Sequence, residues 1–303
     1  MTAELSWPAL VRCPGPGCGG PLKHRVPKDK GSALVCGRCH TLYPVLGQVP
    51  ILVPEPAIYL AEHRDAVLAA LAEAGEADLA AVSMVQALVA FAPKVAARPF
   101  SDDWVDSEAQ GGLPPHPHLD ADRPGHAGLA TLLSAHAAHG LAARVQALYR
   151  PRPKGAVVEL GCGAAPVLAP PPGVTHVVAD LSLRAALTAA SRSGAAGLVA
   201  DAQALPFRPG RVSTLVALNL VDLLDDVGAF LDGAHHALAR GGSLLVATPE
   251  PSLGLGDDEA LQDVLQGAGF EISGVEDGVP WLRPHSERHL EVYLTQVVVA
   301  RPA

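Results

Sequence analysis

Four of the five cysteines stand in two pairs near the start of the chain. Cys13 and Cys18 are separated by four residues, Cys36 and Cys39 by two, and a gap of 17 residues lies between the pairs. Thiolates suit tetrahedral Zn²⁺, and paired ligands roughly two to four residues apart are typical of structural sites. We therefore predict a structural zinc bound by these four cysteines. Two alternatives stay open: His40 replaces one of the thiolates, or the four thiols are unrelated.

A second group of residues begins at a glycine turn. A buried run leads into Gly161 and Gly163, which let the backbone turn tightly and approach a ligand. Asp180 lies 17 residues beyond Gly163, and Asp201 and Asn219 follow later apolar runs. Because open α/β sheets bind ligands at the carboxyl ends of their strands, this order predicts a nucleotide-type cofactor site.

Each polar residue of this site has a chemistry that suits one part of such a cofactor. Asp180 can accept hydrogen bonds from ribose hydroxyls. Asp201 can accept from an adenine amino group, and Ala202 leaves room for the ring. Asn219 ends a strand and would face the reacting group. Cys162, between the glycines, is predicted to be a small packing residue.

The strand ends must be brought together by a sheet. Residues 151–303 alternate predicted strands and helices, which is typical of βαβ units and a parallel sheet. The predicted strands are 156–160, 175–179, 197–200, 212–218, 243–248, 270–275 and 292–300. The predicted helices are 182–191, 226–239 and 257–268.

Two further regions precede this one. Residues 1–55 contain the paired cysteines and end in two predicted short strands around a glycine turn. Residues 56–150 are rich in alanine and mostly of helical periodicity, with a flexible loop predicted at 98–128. We therefore predict a zinc-binding module at 1–55, a helical linker or cap at 56–150 and an α/β domain at 151–303.

Charge and hydropathy exclude some classes of protein. The formal net charge is −9, yet residues 1–55 carry six Lys and Arg against three Asp and Glu. An acidic body argues against nonspecific nucleic-acid binding, while the small basic module leaves an RNA or protein contact open. No run of about 18 apolar residues and no secretion signal is found, so we expect a cytoplasmic protein without a membrane partner.

Residues 9–55 resemble the Trm112-like zinc-ribbon family. The likeness is carried by Cys13-Pro14, Gly20-Pro21-Leu22, Val35-Cys36-x-x-Cys39 and the run from Tyr43 to Leu52. The first cysteine pair is wider than is usual in that family, with four intervening residues instead of two. Members of the family partner with, or are fused to, methyltransferases. The resemblance therefore implies a methyltransferase, and a protein partner that binds through the ribbon.

About 140 residues of the C-terminal part resemble the class I S-adenosylmethionine-dependent methyltransferases. Five motifs occur in the family's order, including the segment 201–207, Asp-Ala-Gln-Ala-Leu-Pro-Phe. The resemblance implies an α/β fold with a Rossmann-like, seven-stranded sheet whose last strand is antiparallel. It assigns to S-adenosyl-L-methionine the residues Glu159, Gly161 and Gly163 (methionine), Asp180 (ribose), Asp201 and Ala202 (adenine), and Asn219 (sulfonium). Leu181 is a further cofactor-binding residue that the resemblance implies. Pro166 and the prolines at 170–172 depart from the family pattern, because they must shorten the helix after the turn.

The leading hypothesis is methyl transfer from S-adenosylmethionine to an RNA base or a small metabolite, with no catalytic residue assigned. Residues 219–222 are not Asn-Pro-Pro-Tyr, which disfavours methylation of exocyclic adenine or glutamine amide nitrogens. The alternative is a noncatalytic cofactor-binding scaffold whose ribbon contacts a partner protein. A nicotinamide oxidoreductase fits less well, because the third glycine of its Gly-x-Gly-x-x-Gly turn would fall on Pro166.

Overall fold

The structure is a computed structural model. It describes residues 7–25, 32–98, 128, 131, 139–152, 155–253, 260–286 and 289–303. Most of the predicted loop at 98–128 lies outside the described residues. Among the described helices, none is both long and apolar enough to cross a membrane.

The N-terminal part is an antiparallel meander of four strands. These are β1 (Leu22–Arg25), β2 (Ser32–Cys36), β3 (Leu42–Leu46) and β4 (Val49–Leu52). The turn between β3 and β4 has Gly47 and Gln48 at positive φ, as a tight two-residue hairpin requires. The two short strands predicted around this glycine are therefore present.

Helices follow the meander. They are α1 (Pro56–Glu62), α2 (Arg64–Glu73), α3 (Leu79–Phe91) and α4 (Leu141–Leu148). Pro56 occupies the first turn of α1, where its missing N–H removes no helical hydrogen bond. Asp78 caps α3 by accepting a hydrogen bond from the N–H of Ala81 at 2.7 Å.

The described residues of the C-terminal part form seven strands and three α-helices. The strands are β5 (Ala156–Leu160), β6 (Thr175–Asp180), β7 (Ala196–Ala200), β8 (Val212–Leu218), β9 (Leu238–Thr248), β10 (Phe270–Ser286) and β11 (His289–Pro302). The helices are α5 (Leu183–Ser193), α6 (Val227–Ala237) and α7 (Ala260–Gly267). Each predicted strand and helix is present, but β9, β10 and β11 are longer than predicted.

Residues 161–174 contain no helix, so the expected short helix after the glycine turn is absent. Proline lacks the backbone N–H that a helix needs and clashes with the preceding turn. Pro166 and the prolines at 170–172 therefore remove the helix instead of shortening it.

In the described part of the chain the sheet has eleven strands, whereas seven were expected. Their order is β1-β2-β3-β4-β7-β6-β5-β8-β9-β11-β10. Strand β4 runs parallel to β7, with Ile51 opposite Val199 and Leu52 opposite Ala200. Strand β11 lies between β9 and β10 and is antiparallel to both. The α/β fold therefore contains a mixed sheet that the meander continues without a break.

Two apolar clusters pack on opposite sides of the central strands, and one of them also includes residues of the meander such as Leu34 and Tyr43. A third cluster joins the meander to the helices. Alternate β9 residues enter the two main clusters, with Leu244 and Val246 on one face and Leu245 and Ala247 on the other. The third cluster contains Leu46, Val49, Ile51, Val53, Tyr59, Leu60, Val67, Ala70, Leu71, Val85, Leu183, Ala186 and Val199. It combines residues of the meander, α1 to α3, α5 and β7 into one core.

Candidate functional site

The glycine turn lies at the carboxyl end of β5, in the centre of the sheet. Gly161 and Gly163 have φ angles of +57° and +56°, in the left-handed region that favours glycine. A Cβ atom at position 161 would stand only 3.1 Å from a methyl group of Leu220. The turn therefore needs glycine for its backbone angle and for the close approach of Leu220, which sequence reasoning did not include in the site.

Asp180 links the ends of β5 and β6. Its Oδ2 accepts a hydrogen bond from the N–H of Gly163 at 3.1 Å, and its Oδ1 accepts from the N–H of Ser182 at 2.9 Å. Ser182 in turn caps α5 by accepting from the N–H of Ala185 at 3.3 Å. Leu181, between them, has 42% of its surface exposed. The structure thus brings three predicted site residues, Gly163, Asp180 and Leu181, together.

Asp201 and Ala202 follow β7, next to β6 in the sheet. The carboxylate of Asp201 accepts from the N–H of Gln203 at 2.8 Å. The side-chain oxygen of Gln203 accepts from the N–H of Asp226 at 2.7 Å, which joins this loop to the start of α6. Gln203 was not predicted to have a role, although it lies inside the motif that was recognised.

Asn219 follows β8 on the other side of the glycine turn. Its φ angle is +51°, a conformation that asparagine tolerates better than most residues. Its N–H donates to the carbonyl of Ala247 at 2.7 Å. Its side-chain oxygen is buried and has no hydrogen-bond partner among the described residues. Such a buried acceptor is costly unless a ligand or a water satisfies it.

Glu159 is hydrogen-bonded to the segment that follows the glycine turn. It is 3% exposed, and its carboxylate accepts from the N–H groups of Val167 at 2.8 Å and Leu168 at 3.2 Å. His176 Nε2 lies 2.8 Å from the same carboxylate. These contacts anchor the proline-rich segment after the turn, a positioning role that the sequence did not reveal. Its contact with the methionine part of a cofactor stays a prediction.

The four paired cysteines converge in the meander. Their Sγ atoms all lie within 4.8 Å of one another, and they form the only such group of potential metal ligands in the described part of the chain. Cys13 and Cys39 are 3.6 Å apart, as are Cys18 and Cys36. A zinc tetrahedron with Zn–S bonds of about 2.3 Å has edges of about 3.8 Å. The donor set therefore fits zinc, and His40 is not part of the group.

Burial and neighbouring hydroxyl groups shift the pKa values of two of the four thiols. Burial raises the pKa of the Cys13 thiol to about 12, although Tyr43 Oη lies 2.9 Å away and can donate to a thiolate. The hydrogen bond with the Thr41 hydroxyl lowers the pKa of Cys39 to about 6. A bound cation favours the thiolate form of every ligand, which would offset the burial of Cys13.

The described part of residues 1–55, called the cysteine module below, contacts the loop that contains Asp201. The N–H of Arg12 donates to the carbonyl of Pro206 at 2.7 Å, and the N–H of Arg208 donates to the carbonyl of Leu10 at 2.8 Å. Arg208 Nε also donates to the carbonyl of Val11 at 2.9 Å. Because β4 pairs with β7 as well, the module is hydrogen-bonded to the chain on both sides of Asp201. Sequence reasoning did not find Arg208, since its role depends on tertiary pairing.

Comparison with known families identifies the domain that these residues belong to. Residues 158–246 match a family described as a methyltransferase domain, and this range includes the glycine turn, Asp180, Asp201 and Asn219. The segment 158–246 is a methyltransferase domain. The methyltransferase domain thus has its matched residues on strands β5 to β9. No curated protein matches the sequence.

Solved methyltransferase structures resemble the chain at a low level. An S-adenosylmethionine-dependent methyltransferase of Thermotoga maritima is 20% identical, with a TM-score of 0.42 over 62% of this chain and 100% of the other. One of Mesorhizobium loti is 17% identical, with a TM-score of 0.39 over 54% and 98%. A chain from a complex of the Haloferax volcanii Trm112 methyltransferase activator with a methyltransferase is 14% identical, with a TM-score of 0.43 over 67% and 100%. These likenesses assign no acceptor and no partner.

Proposed function

We propose that the methyltransferase domain binds S-adenosylmethionine across the carboxyl ends of β5, β6, β7 and β8. The observation that carries this proposal is the hydrogen bond between Asp180 and Gly163, which joins the predicted ribose-binding carboxylate to the glycine turn. In the proposed arrangement Gly161 and Gly163 leave room for the cofactor, Asp180 accepts from the ribose hydroxyls and Leu181 lies beside them. Asp201 and Ala202 would take the adenine.

The bound cofactor would supply an electrophilic methyl group for direct displacement by an acceptor nucleophile. The chain's contribution is to orient the two reactants in line, which can lower a barrier by up to about 7–11 kcal/mol. In the proposed arrangement Asn219 would face the sulfonium. The support is its buried side-chain oxygen, which has no hydrogen-bond partner among the described residues and would accept from a donor group on either reactant. An RNA base and a small metabolite are both proposed as acceptors.

We further propose that Cys13, Cys18, Cys36 and Cys39 bind a structural Zn²⁺ and that the meander is a Trm112-like zinc ribbon. The support is the close approach of the four Sγ atoms, at separations near those of a zinc tetrahedron. The surface of the ribbon would offer a contact for a protein partner. The proposed location of the protein is the cytoplasm.

Isothermal titration calorimetry with S-adenosylmethionine, S-adenosylhomocysteine and NAD tests the cofactor proposal. Both adenosyl compounds should bind with about one site per chain, and NAD should not. If neither adenosyl compound binds, the proposed site is contradicted. Binding without turnover on RNA, protein and metabolite pools would favour the noncatalytic scaffold.

A further inference from the structure

A tyrosine from outside the matched domain reaches the proposed ribose loop. Tyr59 lies on α1, and its hydroxyl donates to the carbonyl of Leu181 at 2.8 Å. The two residues are 122 positions apart in the sequence, and Tyr59 shares an apolar cluster with Leu183, the first residue of α5. Tyr59 is 6% exposed, so the hydrogen bond is shielded from competing water.

The ring of Tyr59 is held by its surroundings. It belongs to the cluster that joins the meander to the methyltransferase domain, together with Leu60, Leu183 and Val199. The ring of His63 also lies against it, with centroids 5.0 Å apart. Since the ring is packed on several sides, the position of its hydroxyl is fixed by the core and not by the loop that it contacts.

The hydrogen bond acts on the peptide group between Leu181 and Ser182. Tyr59 binds the carbonyl oxygen of this peptide, and Oδ1 of Asp180 accepts from its N–H at 2.9 Å. The two ends of one planar group are therefore held from opposite sides. Rotation of this peptide would move the N–H away from Oδ1 of Asp180 and remove one of the hydrogen bonds that orient the carboxylate, which also accepts from the N–H of Gly163.

We propose that Tyr59 is a positioning residue for the cofactor, which acts by fixing the 181–182 peptide and through it the carboxylate of Asp180. This inference rests on the proposed function, in which Asp180 accepts hydrogen bonds from ribose hydroxyls. Tyr59 sets the direction of the Asp180 oxygens before the cofactor arrives. The helical segment after the ribbon thereby becomes part of the cofactor site.

The test compares Tyr59→Phe with Tyr149→Phe by calorimetry. Tyr149 is the matched control, because it is 4% exposed and its hydroxyl has no hydrogen-bond partner among the described residues. Tyr59→Phe should raise the Kd for S-adenosylmethionine and for S-adenosylhomocysteine by the same factor, about five- to tenfold, since one buried hydrogen bond is lost. Tyr149→Phe should leave both Kd values within about twofold of the wild type.

Two further measurements separate positioning from a loss of stability. Hydrogen exchange at the amides of Ser182 and Gly163 should become faster in Tyr59→Phe and stay unchanged in Tyr149→Phe, with the global unfolding temperatures of both variants measured alongside. Wild-type affinity in Tyr59→Phe overturns the proposal. An equal loss of affinity in both tyrosine variants overturns it as well, because that result would indicate general loosening.

Asp180→Asn distinguishes failure of this proposal from failure of the proposed function. If Asp180→Asn weakens binding and Tyr59→Phe does not, only the role of Tyr59 is contradicted. If neither variant changes the affinity, both the ribose assignment of Asp180 and the role of Tyr59 are contradicted.

Discussion

Both the backbone conformation and the packing at position 161 favour glycine. The φ angle of Gly161, +57°, lies in the left-handed region, which is strained for most residues that have a Cβ, and the methyl groups of Leu220 fill the space that a Cβ would need. Asp180 accepts a hydrogen bond from the N–H of Gly163 in the turn, and Glu159 accepts one from the N–H of Val167 in the segment after it. Substitution at Gly161 therefore affects the centre of the proposed cofactor site.

We predict that Gly161→Ala lowers the free energy of unfolding and abolishes measurable S-adenosylmethionine binding. The left-handed backbone alone costs about 1–2 kcal/mol for a residue with a Cβ, and displacement of Leu220 adds to this. Urea unfolding and calorimetry measure the two effects.

Gly194→Ala is the matched control for that substitution. Gly194 has a φ angle of +70° at the end of α5, and a Cβ there would meet no atom within 4 Å. It should cost a similar backbone strain and leave the Kd for S-adenosylmethionine unchanged. Normal cofactor binding by Gly161→Ala would show that the turn does not approach the ligand.

At the scale of elements, α4 is joined to β10 by an ion pair. Arg144 Nε donates to Glu276 at 2.9 Å, and the second guanidinium nitrogen contacts the other carboxylate oxygen. The hydrogen bond from Arg144 lowers the pKa of Glu276. Both side chains are partly exposed, at 40% and 31%, so solvent weakens the interaction.

The pH dependence of this pair has a definite sign. A carboxyl group with a lowered pKa in the folded state stabilises the protein above its unfolded pKa, and the contribution is lost as the pH falls through the folded pKa. Glu276→Gln should therefore lower the melting temperature slightly at pH 7 and have less effect below roughly pH 4. Glu271→Gln, on the same strand and exposed, is the control. A difference that grows on acidification would contradict the assignment.

The folded state of the meander should depend on bound zinc. We predict that the double variant Cys36→Ser/Cys39→Ser binds no zinc, whereas the wild type and Cys162→Ser bind about one zinc per chain. Faster hydrogen exchange should appear in β1 to β4 and spread to Val199 and Ala200, because β4 pairs with β7. Metal analysis and exchange mass spectrometry measure both effects. Unchanged exchange in the double variant would show that the strands do not depend on metal.

At the scale of the whole molecule, the cysteine module and the methyltransferase domain share one sheet and two apolar clusters. Strand β4 covers the edge of β7, and Leu46, Val49 and Ile51 pack against residues of α5 and β7. An uncovered edge strand and an exposed apolar surface favour aggregation. The module is therefore part of the structural support of the domain.

Deletion of residues 1–55 should consequently give a chain that aggregates or melts at a lower temperature than the full-length protein. Size-exclusion chromatography and thermal unfolding measure this, with full-length Cys36→Ser/Cys39→Ser as the control that keeps the β4 segment. A truncated chain that is monomeric, melts like the wild type and binds S-adenosylmethionine would show that the module is independent.

Local sequence was enough to predict many elements. The predicted bounds 156–160 and 212–218 coincide with β5 and β8, because both are buried runs rich in Val and Leu. The glycine turn, Asp180 at the end of β6 and Asp201 after β7 are predicted for the same reason, since each stands directly after such a run. The lengths of β10 and β11 were underestimated, because their hairpin extends beyond the apolar part that signals a strand.

The sequence by itself determined the α/β alternation, the paired cysteines and the order of residues along the carboxyl edge of the sheet. These depend on residue type and short spacing, which are local properties. Three features follow only from the tertiary structure: β4 extends the sheet beside β7, the Glu159 carboxylate accepts from the segment after the turn, and Tyr59 donates to Leu181. Each of these contacts joins residues distant in the sequence or depends on a loop conformation, and no local pattern specifies which partner a buried strand or a buried hydroxyl will find.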